Sequence, residues 1–523
     1  MKYALVMLAT LAPLASARSA ERPNILIITV DDMSADSLGV FGCTLPDTSP
    51  NIDRLAAGAM RFDYAHVQCA NCMPSRNVMW SGRYSHNNRV EGFYQVREPD
   101  YPVLTDLMKS AGYFTAIRGK VSHSTPYSPY AWDLVLDHGP GDGKANRNVA
   151  SYRTSTEEGI RAAKEAGKPF CLMINVSDPH KPFYGEGPRR GPVDDTNTPS
   201  RVFTTEETPV PGFLFDDPVV QQEMARYYSS VRRADDCVGK VLEALEASGE
   251  ADSTFVMFLS DHGMGLPFAK TQLYHHSTHT PLLVHWPGVT KPGSVDREHM
   301  LSAVDFLPTL LDVVEAEHPE GLDGRSFAPL FHGEQQSGRD TVVKEYNENS
   351  GGSRDPMRAV QSKQYLYIFN AWSNGQRVMK TATQGTFTYR RMKELAPTNA
   401  AIASRLDLFD HRVVEEFYDV ASDPDCLTNL IADPAHESDI VNFREMLEAW
   451  MVETADPLLE VFRHRNEPSV REAYMTRAEG ESAERGSRRA RKLNAAAARK
   501  NAGRPGRQRI DQKARPRQSS GEE

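Results

Sequence analysis

Four short apolar runs constrain the fold of this chain more than any other feature: Ile25 to Val30, Tyr113 to Ile117, Phe170 to Val176 and Phe255 to Leu259. Helix-period stretches lie between them, the clearest from Gln221 to Glu246. Apolar strands alternating with helices predict an α/β protein with a large, mostly parallel sheet flanked by helices. At 523 residues there is room for one large domain and a smaller one.

Each run ends in polar residues unsuited to a mere turn. The first gives Asp31-Asp32, and the second gives Gly119-Lys120 followed by His123. The third gives Asp178-Pro179-His180, and the fourth Asp261-His262-Gly263. Ligands of open α/β sheets bind outside the carboxyl ends of the strands, so the four ends are expected to share one crevice. After about Ser353 the pattern changes. MRAVQSKQYLYIFN reads as two antiparallel strands, EEFYDVASDPDCLTNL as a strand and a turn, and Glu437 to Trp450 as a helix. These predict a smaller α+β subdomain with an antiparallel sheet over 354–460, after a larger domain over 21–353.

Asp31, Asp32 and Asp261 supply three carboxylates, and His262 adds an imidazole. Adjacent buried carboxylates repel unless a cation neutralises them, which favours a metal; the competing reading of an Asp-Asp pair is a helix or turn cap. An oxygen-rich set suits Ca²⁺ or Mg²⁺, and the histidine leaves Zn²⁺ or Mn²⁺ open.

The segment CANCMPSRNVMWSGRYSH places Pro74 near a helix start and Arg76 four residues after Cys72, on the same helical face. A helix N-terminus and a guanidinium together make an anion site beside the cysteine. A Cys69/Cys72 redox pair and a zinc half-site are the other readings of CxxC. Neither accounts for Pro-Ser-Arg or for the missing second half-site.

Cys72-Met73-Pro74-Ser75-Arg76 resembles the Cys-x-Pro-Ser-Arg motif of the type I, formylglycine-dependent sulfatases, with Trp80-Ser81-Gly82 where Leu-Thr-Gly is usual. RPNILIITVDD, SPNIDRLAAGAMRFDYAH, SDHGM, SAVDFLPTLLD and GRSFAPLFHGE follow the same family in order, from about Arg22 to about Pro457. Segments such as YDVASDPDCLTNLIADP resemble the N-sulfoglucosamine sulfohydrolase (heparan N-sulfatase) branch. The resemblance implies an alkaline-phosphatase-like sandwich and hydrolysis of sulfate esters, or N-sulfate, of a sulfated carbohydrate. It implies Cys72 converted to 3-oxoalanine (formylglycine) by a formylglycine-generating enzyme, its hydrated gem-diol acting as nucleophile. It implies one Ca²⁺ held by Asp31, Asp32, Asp261, His262 and residue 72. Arg76 and Lys120 would stabilise the hydrated residue, His123 would sit beside it, and His180 and Lys270 would bind the sulfate. GKVSH, with two residues between Lys120 and His123, follows the iduronate-sulfatase branch instead. His279 and His285 stay outside this set, as histidines of core or surface.

Two alternatives accompany this reading. One is a formylglycine-dependent phosphonate or phosphate-ester hydrolase. The other is a non-catalytic protein that binds sulfated glycans.

The periphery adds context. Lys2, the apolar stretch from Tyr3 to Ala15 and the small residues up to Ala20 predict a signal peptide over 1–20, and therefore an exported, periplasmic or secreted protein. That run is too short to span a bilayer, and no membrane span is expected elsewhere. Six cysteines spread along the chain do not make a disulfide scaffold. Asn175-Val176-Ser177 is an acceptor sequence for glycosylation, but it follows an apolar strand and is expected to be inaccessible. The formal net charge is −10, yet from Arg477 onward 14 basic residues meet 6 acidic ones. Residues 461–523 are read as a basic, largely disordered tail, solvated rather than bound to nucleic acid.

Overall fold

The structure, a computed structural model, describes residues 22–137, 147–186 and 195–502, with side chains as far as 488. The expected signal peptide and residues 503–523 lie outside the described residues.

The sheet that carries the site has eight strands: β1 (Asn24–Asp31), β2 (Met60–Phe62), β3 (Phe114–Arg118), β4 (Leu134–Val135), β5 (Phe170–Pro179), β6 (Thr254–Ser260), β7 (Leu282–His285) and β8 (Val295–Asp296). Their order is β4-β3-β5-β1-β6-β7-β2-β8. Neighbours are parallel throughout, except that β7 runs antiparallel to both β6 and β2. The four predicted strands are the consecutive set β3-β5-β1-β6.

Side-chain alternation builds a core on each face. Leu26, Ile28 and Val30 of β1 join Leu172, Ile174, Val176, Val256 and Phe258 in one core. Ile25 and Ile27 join Cys171, Met173, Phe255 and Met257 in the other. Helices Val149–Glu165 and Pro218–Ala247 cover the first face, and Leu104–Ser110 with Phe306–Val313 cover the second. Asp217 caps the long helix by accepting from the Val219 N–H, and Pro218 occupies its first turn.

The antiparallel sheet follows the order β9 (Thr341–Glu348), β10 (Arg354–Ser362), β11 (Tyr365–Asn370), β12 (Glu415–Asp419). It starts at Thr341, so residues 341–353 belong with the C-terminal layer rather than before it. Phe268 packs on Phe409 and Tyr274 on Tyr418, with ring centroids 5.1 and 5.8 Å apart, which continues the first core into this layer. Helix Glu437–Glu453 lies against β10 and β11.

The structure corrects the expectation of disorder for much of the tail. Leu459–Arg463 and Pro468–Ala502 are helical. Tyr474, Met475 and Ala478 fall on one helical stripe and are buried, while Arg377 reaches out to Glu472 at 2.9 Å. Overall composition hides that stripe; alanine, glutamate and arginine between the contacts are strong helix formers.

One buried cluster links the layers. His66, His275 and His279 pack ring on ring with centroids 4.8 to 5.7 Å apart, and Gln361 joins His275 to the buried Lys344. Burial first, then the charge of Lys344 and of neighbouring histidines, holds His66 and His275 well below the ordinary imidazole value. Their neutral forms therefore favour the fold. That contribution is complete above about pH 6.5 and is lost as the pH falls through the unfolded value toward the folded ones. The thermal midpoint should drop on going from neutral to mildly acidic buffer. His66→Gln should remove up to about 1.4 kcal/mol per pH unit from that slope. Denaturation at a series of pH values measures it, and parallel profiles for the two proteins would refute the assignment.

Candidate active site

Register brings the strand ends level. Thr29 of β1 lies beside Asn175 of β5 and Leu259 of β6, and Arg118 of β3 pairs with Ile174. One step further, the chain releases Asp31-Asp32, Asp261-His262 and Lys120 into one crevice. Asp32 and Lys120 have left-handed backbones (φ 68° and 53°), a conformation non-glycine residues tolerate only where the surroundings impose it. Gly265 passes so close to Asp32 that a Cβ there would lie 2.8 Å from its Oδ2.

Helix Cys72–Ser81 enters the crevice N-terminus first, with Cys72 in its first turn and Gly82 ending it at φ 62°. Cys72 Sγ lies 3.2 Å from His262 Nε2, 3.5 Å from Lys270 Nζ and 3.9 Å from Asp32 Oδ1. Donor atoms of Asp31, Cys72, Asp261 and His262 all lie within 4.8 Å of one another, and so do those of Asp31, Asp32, Cys72 and His180. The crevice thus gathers Asp31, Asp32, His180, Asp261, His262 and Lys270 around position 72.

Cations surround the carboxylates. Lys120 Nζ is 2.5 Å from Asp31, and Lys270 Nζ is 2.7 and 2.8 Å from the two oxygens of Asp32. Arg76, fully buried, donates from Nε to Asp261 at 3.0 Å and reaches Asp31 at 3.4 Å. Burial pushes the Asp31 and Asp32 carboxyls up, but Lys120 beside Asp31 and Lys270 beside Asp32, each joined by His180, outweigh it and hold both low. Asp261 goes the other way, raised by burial and by the neighbouring Asp31 charge. Two like charges in a dry pocket, one displaced upward by the other, are what a divalent cation relieves, and three carboxylates with one imidazole are a fitting donor set for one.

The two remaining histidines differ in charge. Burial, then Lys120 and Arg76, pushes His123 down to about 3, and its buried Nδ1 has no hydrogen-bond partner among the described residues. Burial opposes charge on His180 too, but Asp32 and Asp31 raise it above the ordinary value. His180 fixes its ring through Nδ1 on the Lys181 carbonyl at 2.6 Å, while Arg147 donates to the His180 carbonyl at 2.9 Å.

Four residues that place this machinery were not among the sequence candidates. Asn175 Oδ1 and Thr29 Oγ1 accept from Arg76 Nη1 at 2.6 and 2.9 Å, and Asn175 Nδ2 donates to the carbonyls of Arg118 and Gly119, both at 2.9 Å. Ser75 Oγ donates to the Asp261 carbonyl at 2.6 Å, and Asn77 Nδ2 to that of His123 at 2.8 Å. For Thr29 and Asn175 the available signal was a polar side chain inside a strand buried on both faces, as in NILIITVDD and FCLMINVSDP. Asn175 is 1% exposed, so it cannot accept a glycan in the folded protein.

The model of the Sulfatase family matches residues 23–316, more than half of the chain and all the strand ends of the site. The chain belongs to the sulfatase family. It is a sulfuric ester hydrolase with an alkaline-phosphatase-like fold, and the family implies a metal ion and a formylglycine in general terms. A second model, N-sulphoglucosamine sulphohydrolase, C-terminal, matches residues 261–377. An ulvan-active sulfatase of Formosa agariphila is 27% identical over 85% of this sulfatase and 83% of its own length. The human N-sulphoglucosamine sulphohydrolase is 27% identical over 83% and 91%. A solved 2-O GAG sulfatase superposes with a TM-score of 0.64 at 21% identity, covering 86% of this sulfatase and 96% of that chain.

Proposed function

We propose that this sulfatase removes sulfate from a sulfated carbohydrate, with Cys72 matured to formylglycine by a formylglycine-generating enzyme, one Ca²⁺ in the carboxylate cluster, and the protein exported from the cell. The observation that carries this is the position of Cys72 Sγ, within 4 Å of His262, Lys270 and Asp32 at the mouth of a helix N-terminus. Ulvan and N-sulfoglucosamine, named for two relatives, support a carbohydrate substrate. The described residues contain no helix long and apolar enough to cross a membrane.

Asp31, Asp32, Asp261, His262 and residue 72 would hold the ion, which when bound neutralises the carboxylates and polarises oxygen ligands. The aldehyde at position 72 supplies, once hydrated, a hydroxyl that attacks sulfur. Arg76 stays fixed under that residue, with Lys120 at the crevice rim, and both stabilise negative charge growing on oxygen. Lys270 and His180 face the sulfate oxygens across position 72. His180, held toward its protonated form, donates to the leaving sugar oxygen or nitrogen. His123, neutral at working pH with a bare ring nitrogen, accepts the proton that must leave residue 72 before sulfate departs.

Two measurements test this. Mass spectrometry of the peptide carrying residue 72 should find it about 18 Da lighter than cysteine, as an activated aldehyde requires. Assays on defined glycosaminoglycan and algal oligosaccharides should then release inorganic sulfate. An unmodified cysteine in protein from the native host, or turnover confined to phosphate and phosphonate esters, would sink the reading.

Metal removal gives a further expected outcome. Dialysis against a chelator should abolish activity and lower the thermal midpoint, and Ca²⁺ should restore both better than Mg²⁺, Zn²⁺ or Mn²⁺. At a free ion concentration of about 100 Kd the stabilisation should reach about 2.7 kcal/mol. A midpoint indifferent to chelator and to Ca²⁺ would show that no ion binds in the cluster.

A further inference from the structure

The C-terminal helix Pro468–Ala502 and the 349–354 turn enclose an open cavity of about 480 Å³ that shares a wall with the active site. Two contacts make that wall. Phe93, which lines the cavity, meets the His123 ring edge-on at 5.4 Å. Glu348, which also lines it, accepts at its carbonyl from Nδ2 of Asn71, the residue before Cys72, at 3.0 Å. The cavity thus lies one side chain beyond His123, and Asn71 is the step between its wall and Cys72.

The lining suits a sugar. Phe93 and Tyr94 present partly exposed rings, on which the CH face of a pyranose stacks, and the 349–354 turn offers hydroxyls and glycine backbone. The acids around the cavity are already committed. Glu348 pairs with Arg485 and with Arg354 at 3.6 Å, and Glu479 pairs with Arg377. Lys380 is exposed at the rim and forms no salt bridge among the described residues. The cavity therefore offers an exposed cation, Lys380, beside the Phe93 and Tyr94 rings. The helix makes it rigid: Ser482 Oγ donates to the Gly352 carbonyl at 2.6 Å, and the Arg485 guanidinium lies 4.8 Å above the Tyr94 ring.

We propose that this cavity is the subsite for the sugar next to the one that loses its sulfate, and that Lys380 meets an anionic group, sulfate or carboxylate, on that sugar. The proposal rests on the carbohydrate reading above. It turns the C-terminal helix from a solvated appendage into a wall of the substrate cleft.

The test compares Lys380→Glu and Ser350→Trp, both at exposed positions, with the parent enzyme on a sulfated tetrasaccharide and on nitrophenyl sulfate, which has no second sugar. Each variant should lower kcat/KM for the tetrasaccharide by about 10- to 100-fold and leave nitrophenyl sulfate turnover within about 2-fold. Equal losses on both substrates, or no loss on the tetrasaccharide, would overturn the subsite. An enzyme that turns over nitrophenyl sulfate but no oligosaccharide would strike the carbohydrate reading instead. Binding then decides the subsite separately: in a Cys72→Ala background, Lys380→Glu should weaken tetrasaccharide affinity by a similar factor, and equal affinities would refute it.

Discussion

The Cys72→Ala protein should fold as the parent does and release no measurable sulfate. Cys72 is buried, but its sulfur faces the polar crevice rather than a hydrophobic core. The groups it touches hold one another without it: His262 Nε2 lies 3.3 Å from Asp32, and Lys270 binds the same carboxylate at 2.7 Å. Removing the sulfur leaves no unpaired charge, so the stability change should stay within about 1 kcal/mol. Activity should fall by at least about 10⁴-fold, because the alanine has nothing to oxidise and no nucleophile to present. Sulfate release and thermal unfolding, measured on one preparation, separate the two effects. Residual turnover above a hundredth of the parent rate would place the nucleophile elsewhere.

Arg76→Ala should damage both activity and stability. The Arg76 side chain is fully buried and binds Asp261, Asp31, Asn175 and Thr29 together, tying the ends of β1, β5 and β6 to the helix that carries Cys72. Deleting it removes a buried cation from Asp261 and Asp31, although Asp31 keeps Lys120 and Thr29 still donates to Asn175. Breaking a buried ion pair from one side costs about 3–5 kcal/mol, and kcat/KM should fall by at least about 10³-fold as the anion site loses its charge. Arg76→Lys should fall between the two, since one ammonium cannot span both carboxylates and the Asn175 amide. Ca²⁺ should narrow the stability gap, because the ion takes over part of the charge compensation. Denaturant melts with and without Ca²⁺ report this. A variant within about 1 kcal/mol of the parent would show that Arg76 is not what holds the strand ends together.

Much of this was legible in the chain. The four apolar runs became β1, β3, β5 and β6 within a residue or two, except that β5 continues to Pro179, because a strand buried on both faces is apolar at nearly every position. The Cys72–Arg76 spacing was readable for a similar reason: one helical turn fixes which side chains share a face, whatever surrounds it. Thr29 and Asn175 were not readable as partners of Arg76, since they meet only when β1 and β5 pair in the observed register. The helical tail escaped because charge and low hydrophobicity describe a segment on average, whereas three buried residues on one stripe are enough to dock it.

The division follows the range of the forces. By itself the sequence determined periodicity, the strand ends and the spacing within the Cys72 helix, all properties of a few neighbouring residues. Only the tertiary structure decided that β3, β5, β1 and β6 lie side by side, that Asn175 clamps Arg76, and that Pro468–Ala502 walls a cavity beside His123. Those outcomes depend on pairing and packing between residues far apart in the chain, where no local spacing carries the information.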